Sequence, residues 1–146
     1  MYNKRTEDKQ DLERNPDIMG FVTDVLLYAG PTILTHIGLT YLSDTAEEER
    51  EAELTKQALT DPTILDGDIE IMIAQEKLMP SLIKAGLGIA GFAGIFFFGN
   101  KIPEWAQKAG YGVSTGLLLN SVSGFMEMGT VKKDNEAAWT RLKDAK

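Results

Sequence analysis

The chain has 146 residues, a formal net charge of -7 and no cysteine. Thiolate metal sites, cysteine nucleophiles and disulfide staples are therefore excluded, and the acidic balance argues against nucleic acid, whose phosphates need clustered Lys and Arg. Mean hydropathy is only -0.16 because apolar blocks alternate with strongly charged ones, a pattern that fits one compact domain or a few membrane spans with short soluble parts.

Residues 1–17 form a polar arm of mixed charge, with a helix expected over Thr6–Arg14 that Asn15-Pro16 would stop. The apolar stretch that follows is too long for a secretory signal and lacks a small-residue cleavage site, so the arm is expected to be retained. Residues 18–43 are the first apolar block, uncharged from Val25 to Ser43. That length is about enough to cross a bilayer, which takes roughly 20 residues. Asp24, the Gly30-Pro31 pair and the polar Thr32, Thr35, His36 and Thr40 equally fit a kinked or interfacial helix.

An acidic helical connector is expected over residues 44–80. Thr45 and Glu48 fit a capping box that would begin a new helix through Leu59, with a thin apolar face of Ala52, Leu54, Ala58 and Leu59. Asp61-Pro62 and Asp66-Gly67 read as turns, and Asp68 as the cap of a further helix ending near Leu78, before Pro80-Ser81. The acids of Asp44–Glu76 are expected to form a water-facing platform for proteins or cations.

Two uncharged, glycine-rich runs follow, Ala85–Asn100 and Ala109–Met126, on either side of the polar KIPEWAQK turn. They predict a transmembrane helical hairpin over residues 81–99 and 107–127. Small residues recur at every fourth position, Gly86, Ala90 and Gly94 in the first run, then Gly112, Gly116 and Gly124, with Asn120 on the same row. In a membrane such rows let helix backbones approach closely, and a buried Asn can bond across helices. Lys84 is expected to snorkel to the headgroups and Trp105 to sit in the interfacial belt. Residues 128–146 are expected to be a polar C-terminal tail.

No motif carries catalytic chemistry, and no catalytic, cofactor or metal residue is expected. His36 is the only histidine, and Asp24 lies several helical turns from it. The acidic stretch Asp61–Glu70 lacks the ligand spacing of a calcium loop. The letters Gly86-Leu-Gly88-Ile-Ala-Gly91 match a dinucleotide fingerprint but follow a helical pattern, without the strand that motif needs.

The fold expected is thus all-α, with the hairpin, an apolar helix at 18–43 and the acidic connector. The general pattern resembles small membrane proteins of bacteriophages and accessory subunits of large membrane complexes, without identifying any residue. The function expected is structural, with lipid and protein subunits as partners and no enzyme activity. A holin-like pore-former and a soluble acidic interaction module are the alternatives.

Overall fold

The computed structural model describes residues 16–144, and these are helical apart from short connections. Four α-helices follow in order: α1 (Pro16–Thr60), α2 (Asp66–Phe98), α3 (Glu104–Asp134) and α4 (Glu136–Asp144). A short 3-10 turn, Gly99–Lys101, lies between α2 and α3. No strand occurs among the described residues. The arm at residues 1–15, including the helix expected over Thr6–Arg14, lies outside them.

The helices are longer and fewer than the local signals imply. α1 runs unbroken through the expected boundary at residues 43–44. Thr45 caps nothing, and its hydroxyl donates instead to the Tyr41 carbonyl one turn back, at 3.0 Å. Starting a helix is costly and extending one gains a bond per residue, so a cap signal without an upstream breaker loses to propagation. Pro31 and Pro80 likewise lie inside α1 and α2. Each removes a single ladder bond without ending the helix, and Pro31 packs beside Gly112 of the third long helix.

The true break is Asp61–Leu65. The Asp61 carboxylate accepts from the Thr63 amide at 3.0 Å and from its hydroxyl at 2.6 Å, an Asx turn that closes α1. Asp66-Gly67 opens α2 and is not a separate turn. Asp68 sits in the first turn of α2 and accepts the Leu65 amide at 2.9 Å, which satisfies one of the orphan donors there. The connector expected at residues 44–80 is therefore the folded-back ends of two long helices. The expected polar tail is the last turns of α3 together with α4.

Helix α3 is the middle element. Contacts between α2 and α3 pair Ser81 with Gly124, Lys84 with Asn120, Gly91 with Ser114 and Ile95 with Gly110, so the two run antiparallel. Contacts of α1 with α3 pair Asp24 with Lys108, Tyr28 with Thr115 and Thr40 with Asn120, so those two run parallel. α1 meets α2 near the Asp61 turn, through Glu47 and Arg50 on one side and Lys77 and Glu76 on the other.

The two ends of the bundle are built oppositely. At the charged end, Leu54, Ile69 and Ile73 are buried together, with Ala58, Ile64 and Met72 packed on them. Leu54 is fully buried and Ala58 packs on the cluster, while Ala52 and Leu59 of the expected thin apolar face stay exposed. Through the apolar blocks the large side chains point outward instead. Phe21, Leu26, Leu34 and Tyr41 on α1, Leu87, Ile89 and Phe96 on α2, and Leu119 and Met126 on α3 are all exposed, while Gly112, Ser114, Gly116, Asn120 and Ser121 are buried.

Candidate functional site

The feature that organises the molecule is a polar seam along the inner faces of α1, α2 and α3. At the end near the α2–α3 turn, the Lys108 ammonium bonds Asp24 at 2.5 Å and Glu104 at 2.6 Å. The acid that counted against a span at residues 18–43 is thereby paired. One turn further in, Thr115 donates to the Tyr111 carbonyl at 2.9 Å, so its oxygen is left to accept the Tyr28 hydroxyl, also at 2.9 Å.

Midway along, one chain of hydrogen bonds crosses all three helices. Lys84 Nζ donates to Asn120 Oδ1 at 2.6 Å, Asn120 Nδ2 donates to Thr40 Oγ1 at 3.1 Å, and Thr40 donates to the His36 carbonyl at 2.9 Å. Asn120 uses both ends of its amide, and it is only 6% exposed. Lys84, expected to reach for the headgroups, turns inward instead. Nδ1 of His36 is buried without a hydrogen-bond partner among the described residues.

At the charged end the Lys77 ammonium lies between Glu47 of α1 and Glu127 of α3, the latter at 2.7 Å. Burial opposes its charge, but the hydrogen bonds to Glu127 and Glu47 outweigh this and raise its pKa above the ordinary lysine value. Arg50 forms a fork with Glu76, at 2.8–3.1 Å, and bonds Glu53 at 2.6 Å. Asp68 is buried and pairs with Arg141 of α4. Burial opposes its charge too, yet the Arg141 guanidinium and the Leu65 amide hold its pKa below the usual carboxylate value.

Between these layers α1, α2 and α3 enclose a cavity of about 410 Å³, whose lining includes Thr40, Asp44, Lys77, Ser81, Lys84 and Asn120. It falls within the size range of small-ligand sites, about 300–1,000 Å³. Among the described residues no group of three or more His, Cys, Asp or Glu side chains is placed to hold a metal ion.

The small residues expected to form the packing face divide three ways. A Cβ on Gly116 would stand 2.7 Å from the Thr32 carbonyl oxygen, and one on Gly112 would overlap that of Tyr28, so these positions face α1. Gly124 faces Ser81 of α2. Gly86 and Gly94 have nothing within 4 Å, and Ala90 is exposed. The contacts of α2 with α3 fall instead at Ser81, Lys84, Gly88, Gly91 and Ile95. Their spacing alternates three and four residues, the rhythm of left-handed helix packing. Strict four-residue steps rotate about 40° each around a helix, so the row 86-90-94 winds off the contact face. Trp105 is 62% exposed in the first turn of α3.

Comparison with protein-family models, with characterised proteins and with solved structures yields no match.

The Asp68–Arg141 pair makes the docking of α4 sensitive to acid. A carboxylate with a depressed folded pKa contributes stability above its unfolded value, near pH 4, and loses it as pH falls through the folded value. Protection of the amides over residues 136–144, relative to their intrinsic exchange rate at each pH, is therefore expected to fall on acidification below about pH 4. Asp68→Asn should show the lost protection, and so fast exchange, already at neutral pH. Slow exchange in that variant would mean that the remaining contacts of α4 suffice without the pair.

Proposed function

We propose that this chain is a small integral membrane component that acts structurally, by packing its own helices and presenting charged ends to other subunits. A virion membrane protein and an accessory subunit of a membrane complex both fit that description. One observation carries the reading. α1 and α2 are long and apolar enough to cross a membrane, yet 0% and 11% of their most apolar windows are buried inside the protein. A core helix of a water-soluble bundle buries such a stretch, whereas a membrane helix leaves it to the lipid.

The dimensions agree. Exposed apolar residues run from Leu78 to Phe98 on α2, which spans about 30 Å at 1.5 Å per residue, the thickness of a hydrocarbon core. The band continues over Ile18–Leu42 on α1 and Trp105–Met126 on α3. The proposal therefore has three crossing segments: the hairpin of residues 81–99 and 107–127, and the helix at 18–43. By composition α3 is not among the two helices apolar enough to span. Its Gly112, Ser114, Gly116, Asn120 and Ser121 lie on the inner faces, however, and Val113, Leu119, Val122 and Met126 supply the outer one.

A pore-forming role has less support, because Ser114, Asn120 and Ser121 are buried between helices within one chain and, of the four polar residues that could line a channel, only Ser123 is exposed. Alkaline carbonate extraction tests the membrane reading. The full chain expressed in cells is expected to stay with the membrane pellet. Complete release into the soluble fraction would sink the proposal in favour of a soluble helical module with a large apolar docking surface.

A further inference from the structure

We infer that the cavity between α1 and α2 holds the headgroup of a membrane phospholipid carrying a primary amine, with its phosphate on Lys84 and its ammonium beside Asp44. The inference rests on the membrane reading above and adds a specific ligand to it.

The charges around the cavity are nearly all spoken for. Arg50 is engaged by Glu76 and Glu53, and Lys77 by Glu47 and Glu127. Two charged groups of the lining are left over. Lys84 has no carboxylate partner among the described residues, and its one hydrogen bond goes to the neutral Asn120 amide. An ammonium has three N–H donors, so two are left without a side-chain acceptor among the described residues, at a residue that lines the cavity. Asp44, one turn beyond Thr40 on α1, lines the same cavity and makes neither an ion pair nor a side-chain hydrogen bond among the described residues. The unmatched cation lies deep and the unmatched anion near the charged end. A zwitterion entering from the membrane surface with its phosphate inward and its amine outward complements both.

The depth and the walls fit a lipid better than a free ion. Lys84 lies six residues beyond Leu78, about 9 Å below the start of the apolar band. An ammonium at that depth is costly when its only side-chain partner is a neutral amide. α1 and α2 both pack on α3 here far more than on each other. Between them Leu42, which is 65% exposed, and Pro80 line the cavity beside the apolar outer surface. Acyl chains attached to a headgroup in the cavity would leave through that gap into the surrounding bilayer.

The test uses the full chain, extracted from membranes in a nonionic detergent and examined by native mass spectrometry with added dioleoylphosphatidylethanolamine. One bound phospholipid per chain is expected to survive. Lys84→Met should lower its retention about tenfold, the scale of a lost charge-assisted hydrogen bond, and Lys84→Arg should keep it. Asp44→Asn should weaken retention of phosphatidylethanolamine but not of phosphatidylglycerol, which has no amine. Wild-type retention by Lys84→Met overturns the inference. So does equal retention of dioleoylglycerol, which would mean that the acyl chains alone bind, and so does displacement by equimolar inorganic phosphate, which would mean that a free anion suffices. Undiminished phosphatidylethanolamine binding by Asp44→Asn overturns the placement of the amine. Helix content by circular dichroism accompanies each variant, and should Lys84→Met lose it, the Asp44→Asn comparison decides. A chain held in the membrane through carbonate but carrying no phospholipid sinks this inference alone, whereas a chain released by carbonate sinks both.

Discussion

Replacing Gly116 by Ile is expected to separate α1 from α3, while the same change at Gly86 is expected to do almost nothing. The two glycines read alike in the sequence, each on a four-residue row of small residues in an uncharged run. Their surroundings differ completely. A Cβ on Gly116 would stand 2.7 Å from both the Thr32 carbonyl oxygen and Thr35 Cβ, and the first of these is backbone that cannot swing aside. A Cβ on Gly86 would meet nothing within 4 Å. Overpacking a close helix contact typically costs about 1–3 kcal/mol, and a branched side chain against backbone belongs at the upper end. The loss would extend beyond one contact, because the Tyr28–Thr115 and Asn120–Thr40 bonds lie on either side and need the same approach of α1 to α3. Cross-linking between cysteines introduced on the facing sides of α1 and α3 should fall sharply in Gly116→Ile and stay at the parental level in Gly86→Ile. Equal behaviour of the two variants would show that Gly116 is not a helix-contact position. Leu119→Ala is the matching control on the outer face of α3, where the side chain is 49% exposed. Leu118 would be a poor one, since it packs into the space that a Cβ on Gly88 would need, 2.8 Å away.

What the sequence made legible follows from which signals are local. Helicity was readable throughout, and so were the outward-facing apolar blocks, because both depend on neighbours within a few turns. The helix boundaries were misread at Thr45 and Pro80 for a common reason. Caps and prolines are local preferences of about 1–3 kcal/mol, and long packed helices override them. The pairing of faces was only partly readable. Gly112, Gly116 and Asn120 stand on one row because α1 takes that side of α3. Nothing local distinguishes Gly88 from Gly86 as the residue that meets α3, since that depends on where Leu118 and Ser114 arrive from elsewhere in the chain. The inward turn of Lys84 has the same origin. Its bond to Asn120 joins residues 36 positions apart, and no spacing rule reaches that far. The acidic segment hid its core for a related reason: Leu54 gains meaning only when Ile69 and Ile73 fold back onto it.

Lys77→Met is expected to weaken the bundle more than removal of either acid that it binds. Lys77 on α2 lies between Glu47 of α1 and Glu127 of α3, so it joins all three long helices, and its side chain is 15% exposed. Glu47→Gln leaves Lys77 paired with Glu127, and the converse change leaves it paired with Glu47. Lys77→Met removes both pairs at once and leaves two carboxylates sharing one junction. Glu47 and Glu127 keep 30% and 44% exposure, so solvent screening moderates the cost. A loss of about 1–2 kcal/mol in a reversible unfolding titration is expected for Lys77→Met, with clearly less for each glutamine variant. Lys56→Met, on the exposed side of α1, should change nothing measurable. Costs for Glu47→Gln equal to those for Lys77→Met would mean that one pair carries the whole effect. The pH dependence has a definite sign. A lysine whose folded pKa is raised contributes its full stability below the unfolded value, near pH 10.4, and loses it as pH rises through the folded value. The charged junction should therefore loosen in strong alkali, the opposite end of the scale from the Asp68–Arg141 pair. The outward apolar band would hold to the bilayer through burial of apolar surface, not through ion pairs. Alkaline carbonate should thus relax the contacts between helices at the charged end without releasing the chain from the bilayer, which separates what holds the helices together from what holds them in the membrane.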